Sequence, residues 1–258
     1  VDHPVGVSMT TLADAMLETA KLVTDVFEGV GSVSSTTSEI SDASLKYPAG
    51  TFNGGTVWSP KCDKGVADIK TQGQNTFTMT TTQTLALTGP YQIADSTFPM
   101  YKLKQAALYV LGKIEIPTVN TALSAGSGSV QINDGSTLLI SNVRQVFVDD
   151  VRNYHWRELN GYIYFDDPST EGALDIYYMS DGVVADYDDI LSDAIDMNYL
   201  TWSAAVYLWR DTIRKIRKDN PTAQELLNEA KVNEADALRQ ARKYAMRRMP
   251  RDPHFARW

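Results

Sequence analysis

Residues 189–248 read DILSDAIDMNYLTWSAAVYLWRDTIRKIRKDNPTAQELLNEAKVNEADALRQARKYAMRR. Ile195, Tyr199, Trp202, Val206, Trp209, Ile213 and Ile216 recur there at spacings of four and three. That spacing keeps one apolar stripe on one face of a helix. Pro221 ends the helix, because the residue before a proline is pushed out of the α region. Thr222 and Glu225 then form a capping box for a second helix. On it Leu227, Ala230, Ala237, Ala241 and Tyr244 continue the spacing, with Glu234 as the exception. Small residues on that seam let two backbones approach closely. The expectation is an antiparallel helical hairpin.

The rest of the chain is read outward from this hairpin. The 258 residues are 43% hydrophobic and 22% charged, which fits a globular protein with a real core. The one cysteine, Cys62, rules out an intrachain disulfide framework and a multi-cysteine metal site, and fits a reducing compartment. No apolar run has the length of a membrane span, so no membrane role is expected. No basic region followed by an apolar run opens the chain, so no signal peptide is expected. Residues 1–8 show no periodicity and read as a flexible arm or a non-native remnant.

A first helix starts at Thr10 or Thr11. Leu12, Met16, Val23 and Val26 lie on one face, with Leu22 and Phe27 beside it, and Gly29 and Gly31 end it. Residues 32–44 are rich in Ser and Thr and read as a loop or extended arm. Asn53-Gly54-Gly55 supplies positive φ angles for a tight backbone feature leading into a strand. Short strands are expected at 66–69, 76–82 and 84–87. Pro99 opens a short helix with Leu103, Ala106, Ala107, Val110 and Leu111 on its apolar face, and Gly112 ends it. From 114 to 179 the period becomes that of strands, with hairpin turns at Asn133-Asp134-Gly135 and Asn160-Gly161. The expected fold class is therefore α+β: a helical bundle with a long C-terminal antiparallel helical hairpin and inserted β regions. Its parts are an arm and first helix (1–31), a small β insertion (32–94), a short bundle helix (95–113), a larger β region (114–182), the helical hairpin (183–248) and a tail (249–258).

No catalytic constellation is visible. His3, His155 and His254 are far apart, and none has a neighbour at metal-ligand spacing. There is no G-x-S-x-G elbow and no Walker A sequence. Asp186-Tyr187-Asp188-Asp189 fails as a calcium loop, since its sixth and twelfth positions are Leu191 and Met197 rather than Gly and Glu. These aspartates read as a turn with negative charge at a helix N-terminus. The expectation is no enzyme, no cofactor and no metal.

Charge is distributed unevenly. The net charge is −8, yet residues 149–196 hold 13 acidic residues against Arg152 and Arg157. Residues 239–258 hold seven Lys or Arg against Asp252. Arg239, Arg242, Lys243, Arg247 and Arg248 suit the C-terminal end of a helix dipole. Beyond them Met249-Pro250-Arg251-Asp252-Pro253-His254-Phe255-Ala256-Arg257-Trp258 leaves the helix. It reads as a binding peptide with aromatic anchors, as a phosphate-binding tail, or as a frayed basic terminus.

Four stretches together carry a resemblance. They are Thr11-Leu12-Ala13-Asp14-Ala15-Met16, Phe52-Asn53-Gly54-Gly55-Thr56-Val57-Trp58, Thr97-Phe98-Pro99 with its helix to Leu111, and Leu174-Asp175-Ile176-Tyr177-Tyr178 followed by the hairpin at 194–242. In this order, over nearly the full length, they resemble the head-to-tail adaptor (connector) proteins of tailed bacteriophages. The resemblance implies a structural virion protein of the neck, assembled in the host cytoplasm and without enzymatic activity. It implies a homo-oligomeric ring, usually of twelve copies, docked on the portal protein and meeting a downstream neck or tail protein. Double-stranded DNA would pass through its channel without sequence-specific binding. Portal docking would fall to Arg242, Arg247, Arg248, Arg251, Phe255, Arg257 and Trp258. Asp149, Asp150, Asp166 and Asp167 would supply a channel-facing acidic surface. The large β regions depart from the family pattern and imply extra neck or tail contacts. Two other readings are a nucleic-acid-binding module that uses the basic tail, and a glycan- or receptor-binding tail protein that uses Tyr154, Trp156, Tyr162 and Tyr164.

Overall fold

Thr11 is the hinge from which the first helix starts. Its N–H donates to the Asp14 carboxylate at 2.8 Å, and the Asp14 N–H donates back to the Thr11 hydroxyl at 3.2 Å, closing a capping box. Leu12 and Ala13 donate their N–H groups to the carbonyls of Asp189 and Tyr187, at 3.1 and 2.8 Å. The donors that a helix start leaves without intrahelical partners are thereby satisfied by a segment 175 residues or so further on. The computed structural model describes residues 10–33, 38–60, 62–79, 88–135, 140–181, 184, 186–192, 195–215 and 221–248. The chain divides into two compact units, Val1–Gly112 with Val183–Ala241, and Lys113–Gly182 with Arg242–Trp258.

In the first unit, helix α1 (Leu12–Val23) ends at Thr24, whose extended backbone feeds straight into a strand. Six strands close into an antiparallel barrel in the order β1 (Val26–Val33), β2 (Glu39–Ser41), β5 (Thr76–Met79), β4 (Val66–Gln72), β3 (Thr56–Trp58) and β6 (Thr88–Ala94). β6 closes it, pairing β1 from Val26↔Ala94 to Ser32↔Thr88 and β3 through Val57↔Ile93. β1 reaches β2 through Ser32↔Ser41 and Val33↔Ile40, which completes the barrel. The interior holds Ile40, Val57, Ile69, Met79 and Ile93, together with a run of rings in edge-to-face or tilted contact from Phe27 and Tyr47 through Phe52 and Phe77 to Tyr91. Gly29 and Gly31 do not end a helix. They lie in β1, where a Cβ would come within 2.4 Å of the Tyr91 ring and 2.3 Å of Ile40. Glycine is what lets these side chains lie against the strand.

Helix α2 (Met100–Leu111) follows Pro99 and buries the apolar face read from the sequence. Helices α1, α2 and α3 (Met197–Lys215) pack mutually. Phe98 meets Trp209 edge-on at 5.5 Å, and Tyr109 meets Tyr207 at 4.6 Å. Helix α4 (Pro221–Arg248) adds Leu227 and Ala230 to a cluster with Trp202, Val206, Trp209 and Ile213. The single-stripe reading of α3 was too narrow. Leu200, Ala204, Ala205 and Leu208 are buried as well, so α3 is covered nearly all round, as a central helix must be. The charge at its N-terminus comes from Asp196, which accepts the Tyr199 N–H at 2.9 Å. Asp186 and Asp189 instead form a turn, and Asp186 pairs with Lys64.

In the second unit, a four-stranded antiparallel sheet runs β10 (Val151–Asn153), β9 (Val143–Val148), β13 (Gly172–Asp181), β7 (Glu115–Ala125). A three-stranded sheet runs β11 (Trp156–Leu159), β12 (Tyr162–Phe165), β8 (Ser129–Gln131). Val130, Ile163 and Phe165 from the smaller sheet, with Ile132 just after β8, share one core with Val146, Leu174 and Ile176 from the larger. Asn160 and Gly161 both have positive φ, 51° and 78°, and join β11 to β12 in the tight turn that this dipeptide favours.

The expected helical bundle with a long C-terminal helical hairpin and inserted β regions is overturned. The protein is mostly β-strand, with a closed six-stranded barrel and four helices among the described residues. The error has a local cause. Val26 and Phe27 fall at helical spacing from Leu12 and Met16, but β-branched and aromatic residues fit a pleated surface better, and the backbone turns extended at Thr24. The Ser- and Thr-rich stretch at 32–44, read as a loop or extended arm, contains β2.

Candidate functional site

The acidic candidates sit at turns of the second unit. Asp149 and Asp150 form the β9–β10 turn, both with positive φ, 49° and 64°. Short polar side chains tolerate that conformation best. Asp149 donates its N–H to the Ala173 carbonyl and accepts the Ala173 N–H on its carboxylate, each at 2.9 Å. Asp166 and Asp167 follow β12. The Asp167 carboxylate accepts the Ser169 hydroxyl at 2.6 Å and the Ser169 N–H at 2.9 Å, which hold it below the usual carboxylate range. The Asp166 N–H donates to the His155 carbonyl at 3.0 Å, and the two side chains approach to 3.8 Å.

These turns share one end of the unit. Thr170 accepts the Gly128 N–H, Gly128 packs on Pro168, and the loop then runs into Gly172 and Ala173 beside Asp149. The fold thus gathers Asp149, Asp150, Asp166 and Asp167, separated by up to 18 positions in the chain, at one set of loops, and all four are exposed. Asp149 and Asp167 have a structural duty in addition to their charge. In both turns the carboxylate accepts hydrogen bonds from neighbouring residues, which hold the loop geometry.

Of the docking candidates, Arg242, Arg247 and Arg248 lie within α4. Arg251, Phe255, Arg257 and Trp258 lie outside the described residues. Trp156, read as part of an aromatic surface, packs instead against the core of the second unit. Tyr162 and Tyr164 alternate with the buried Ile163 and Phe165, so they lie on the opposite, outer face of β12, with ring centroids 5.9 Å apart.

One feature of the first unit went unread in the sequence. A pocket of about 600 Å³ opens between α1 and the outer face of β1, β3 and β6. Leu17, Val30, Trp58, Pro60 and Pro90 give it apolar walls, and Asp14 and Glu28 stand at its rim. The missing signal was β6. Gly89-Pro90 argues against a strand, yet Pro90 pairs with Val30 where β3 has already ended, so no ladder partner needs its N–H. On the inner side of the same strand, Tyr91 donates its hydroxyl to the buried Asp42 carboxylate at 2.6 Å. Ser44 adds its hydroxyl at 2.6 Å and its N–H at 2.7 Å. Burial raises the Asp42 pKa, but these three donors outweigh it and hold the carboxyl below its ordinary value. Burial and the same bond to Asp42 push the Tyr91 phenol up.

Among the described residues, no group of three or more His, Cys, Asp or Glu side chains converges as a metal site. No helix among them is long and apolar enough to cross a membrane. Neither a scan against protein-family models nor a search of curated proteins found a match to this chain.

Proposed function

We propose that this chain is a structural virion protein, a ring-forming head-to-tail adaptor of a tailed bacteriophage. In this reading it docks on the portal and joins capsid to tail around a DNA channel. One observation carries it: the separation of charge. Along the chain, residues 149–167 carry hydrogen-bonded acidic turns, while residues 239–258 hold seven Lys or Arg against Asp252. Carboxylates facing a channel repel DNA phosphates and let the duplex pass without adhering. The cations of α4, with Arg251, Phe255, Arg257 and Trp258, suit a groove on the portal, where large apolar groups anchor and arginines pair.

The order of elements supports the same reading. Helices alternate with β regions along the chain, and loops of such regions are common sites of contact with a neighbour. The test is binding to purified portal. Deleting residues 247–258 should abolish docking and leave the circular dichroism of the chain unchanged. Undiminished docking by the truncated chain removes the tail from the site.

Tyr162 and Tyr164 favour a second reading, a glycan- or receptor-binding tail protein, because paired half-exposed rings on a sheet face form a stacking platform. A glycan array separates the two: saturable binding that Tyr164→Ala removes supports the second reading, and no binding rejects it.

A further inference from the structure

The pocket of about 600 Å³ in the first unit has walls and a rim of different chemistry. Val30 of β1, Trp58 of β3 and Pro90 of β6 give it an apolar floor on the outer face of the barrel, and Leu17 of α1 adds a further wall. These walls are set before any ligand arrives. Pro60 and Pro90 have fixed φ angles. Thr11 and Asp14 box the start of α1, and Leu12 and Ala13 donate to the carbonyls of Asp189 and Tyr187. A preformed, mostly apolar cleft of this size is the usual form of a binding site. Among the described residues that line it, Asp14 and Glu28 are charged and none is Lys, Arg or His. Both carboxylates are exposed, and their donors, Thr11 and Gln92, carry no charge. The pocket therefore complements a group that is apolar in its body and positive at one end. Trp58 is 4% exposed, and its indole N–H has no acceptor among the described residues. Such a donor is costly to leave unpaired, and a peptide brings carbonyl oxygens that a simple amine does not.

We propose that this pocket docks a segment of another protein that presents an aromatic side chain beside an arginine or lysine. The ring lies among Leu17, Val30, Trp58 and the two prolines, since a large apolar anchor in a pocket contributes most of the energy of such contacts. The cation meets Asp14 and Glu28. The same carboxylates disfavour a polyanion such as DNA. Docking of this kind follows from the pocket and does not need the ring reading. Within that reading, the downstream neck or tail protein supplies the segment.

The test is a titration of the full chain, followed by amide NMR. The probes are the peptide acetyl-Ala-Arg-Trp-Arg-Ala-amide, its twin with both arginines replaced by glutamate, and its twin with the tryptophan replaced by alanine. The first should shift the amides of Leu17, Val30, Trp58 and Gln92 along one saturable curve, and should weaken as salt rises. The glutamate twin should bind weaker by about tenfold or more. The alanine twin should give no saturable shift. Val30 is 62% exposed, so Val30→Lys should keep the circular dichroism of the chain. It should weaken the first peptide by about fivefold or more, because it sets a cation against a cation. Equal binding of the arginine and glutamate peptides, or unchanged binding by a folded Val30→Lys chain, overturns the proposal. Shifts that lie outside the pocket, or no saturable shift at millimolar peptide, overturn it as well. None of these outcomes touches the ring reading, which portal binding tests.

Discussion

Asp149 and Ala173 exchange two hydrogen bonds of 2.9 Å each, one through the Asp149 backbone and one through its carboxylate. The pair clamps the acidic β9–β10 turn to the start of β13. Gly172 lies inside the clamp at φ 138°, and a Cβ there would be 2.4 Å from the Asp149 carboxylate. Gly172→Ala should therefore destabilise the protein by about 1–3 kcal/mol, from backbone strain and from displacing the carboxylate. Asp149→Asn, which keeps an acceptor, should cost less than Gly172→Ala. Urea unfolding checks the order, and equal midpoints for wild type and Gly172→Ala would remove the clamp.

The barrel should be sensitive to acid through Asp42. Its folded pKa lies below its ordinary value near 3.8, so its contribution is fully present above that value and is lost as pH falls through the lower folded value. Tyr91→Phe keeps the ring over Gly29 but removes one of three donors to a buried carboxylate. It should cost about 1–3 kcal/mol at neutral pH. The difference between wild type and variant should narrow below pH 3.8, as Asp42 protonates. Thermal melts at pH 7 and pH 3 check this, and a difference that grows in acid contradicts it.

Glycines in the barrel should differ in tolerance according to what their missing Cβ would meet. At Gly31 it would meet the end of a side chain, Ile40, at 2.3 Å, while at Gly55 it would meet the Ala94 backbone carbonyl at 2.2 Å. A side chain can shift and a strand carbonyl at the barrel closure cannot. Gly55→Ala should cost more than Gly31→Ala, which overpacking places at about 1–3 kcal/mol. The comparison is made by denaturant midpoint, and the reverse order would contradict the closure described for β3 and β6.

Cys62 offers a probe of that closure. It is 4% exposed, touches the Met79 sulfur at 3.8 Å, and burial pushes its thiol up to about 12. A thiol reagent at pH 8 should label it only as fast as the barrel opens. Labelling at the rate of a free cysteine would show that the barrel does not seal.

How far the fold was legible depended on how local its causes are. The helix start at Thr10 or Thr11, the Pro99 helix and the Asn160-Gly161 turn rest on contacts within a few residues, and each was readable; the return bond from Asp14 that completes the box was not read. Barrel closure rests on pairing Val26 with Ala94 and Val57 with Ile93, which no local period reveals. Gly29 and Gly31 looked like helix terminators because the reason for them, Tyr91 and Ile40, lies elsewhere in the chain. The acidic surplus of 149–196 was plain from composition. Its division into turn-forming aspartates at one end of the second unit, and Asp186 pairing Lys64 in the first, needed the fold. The pocket beside Trp58 was invisible because Pro90 concealed β6.

The most direct measurement is native mass spectrometry of the full chain mixed with purified portal rings. If the proposed ring forms, one complex with a fixed number of copies per portal is expected, as closed symmetry requires, and twelve is the number that the resemblance implies. An unchanged portal mass beside free monomer would contradict it.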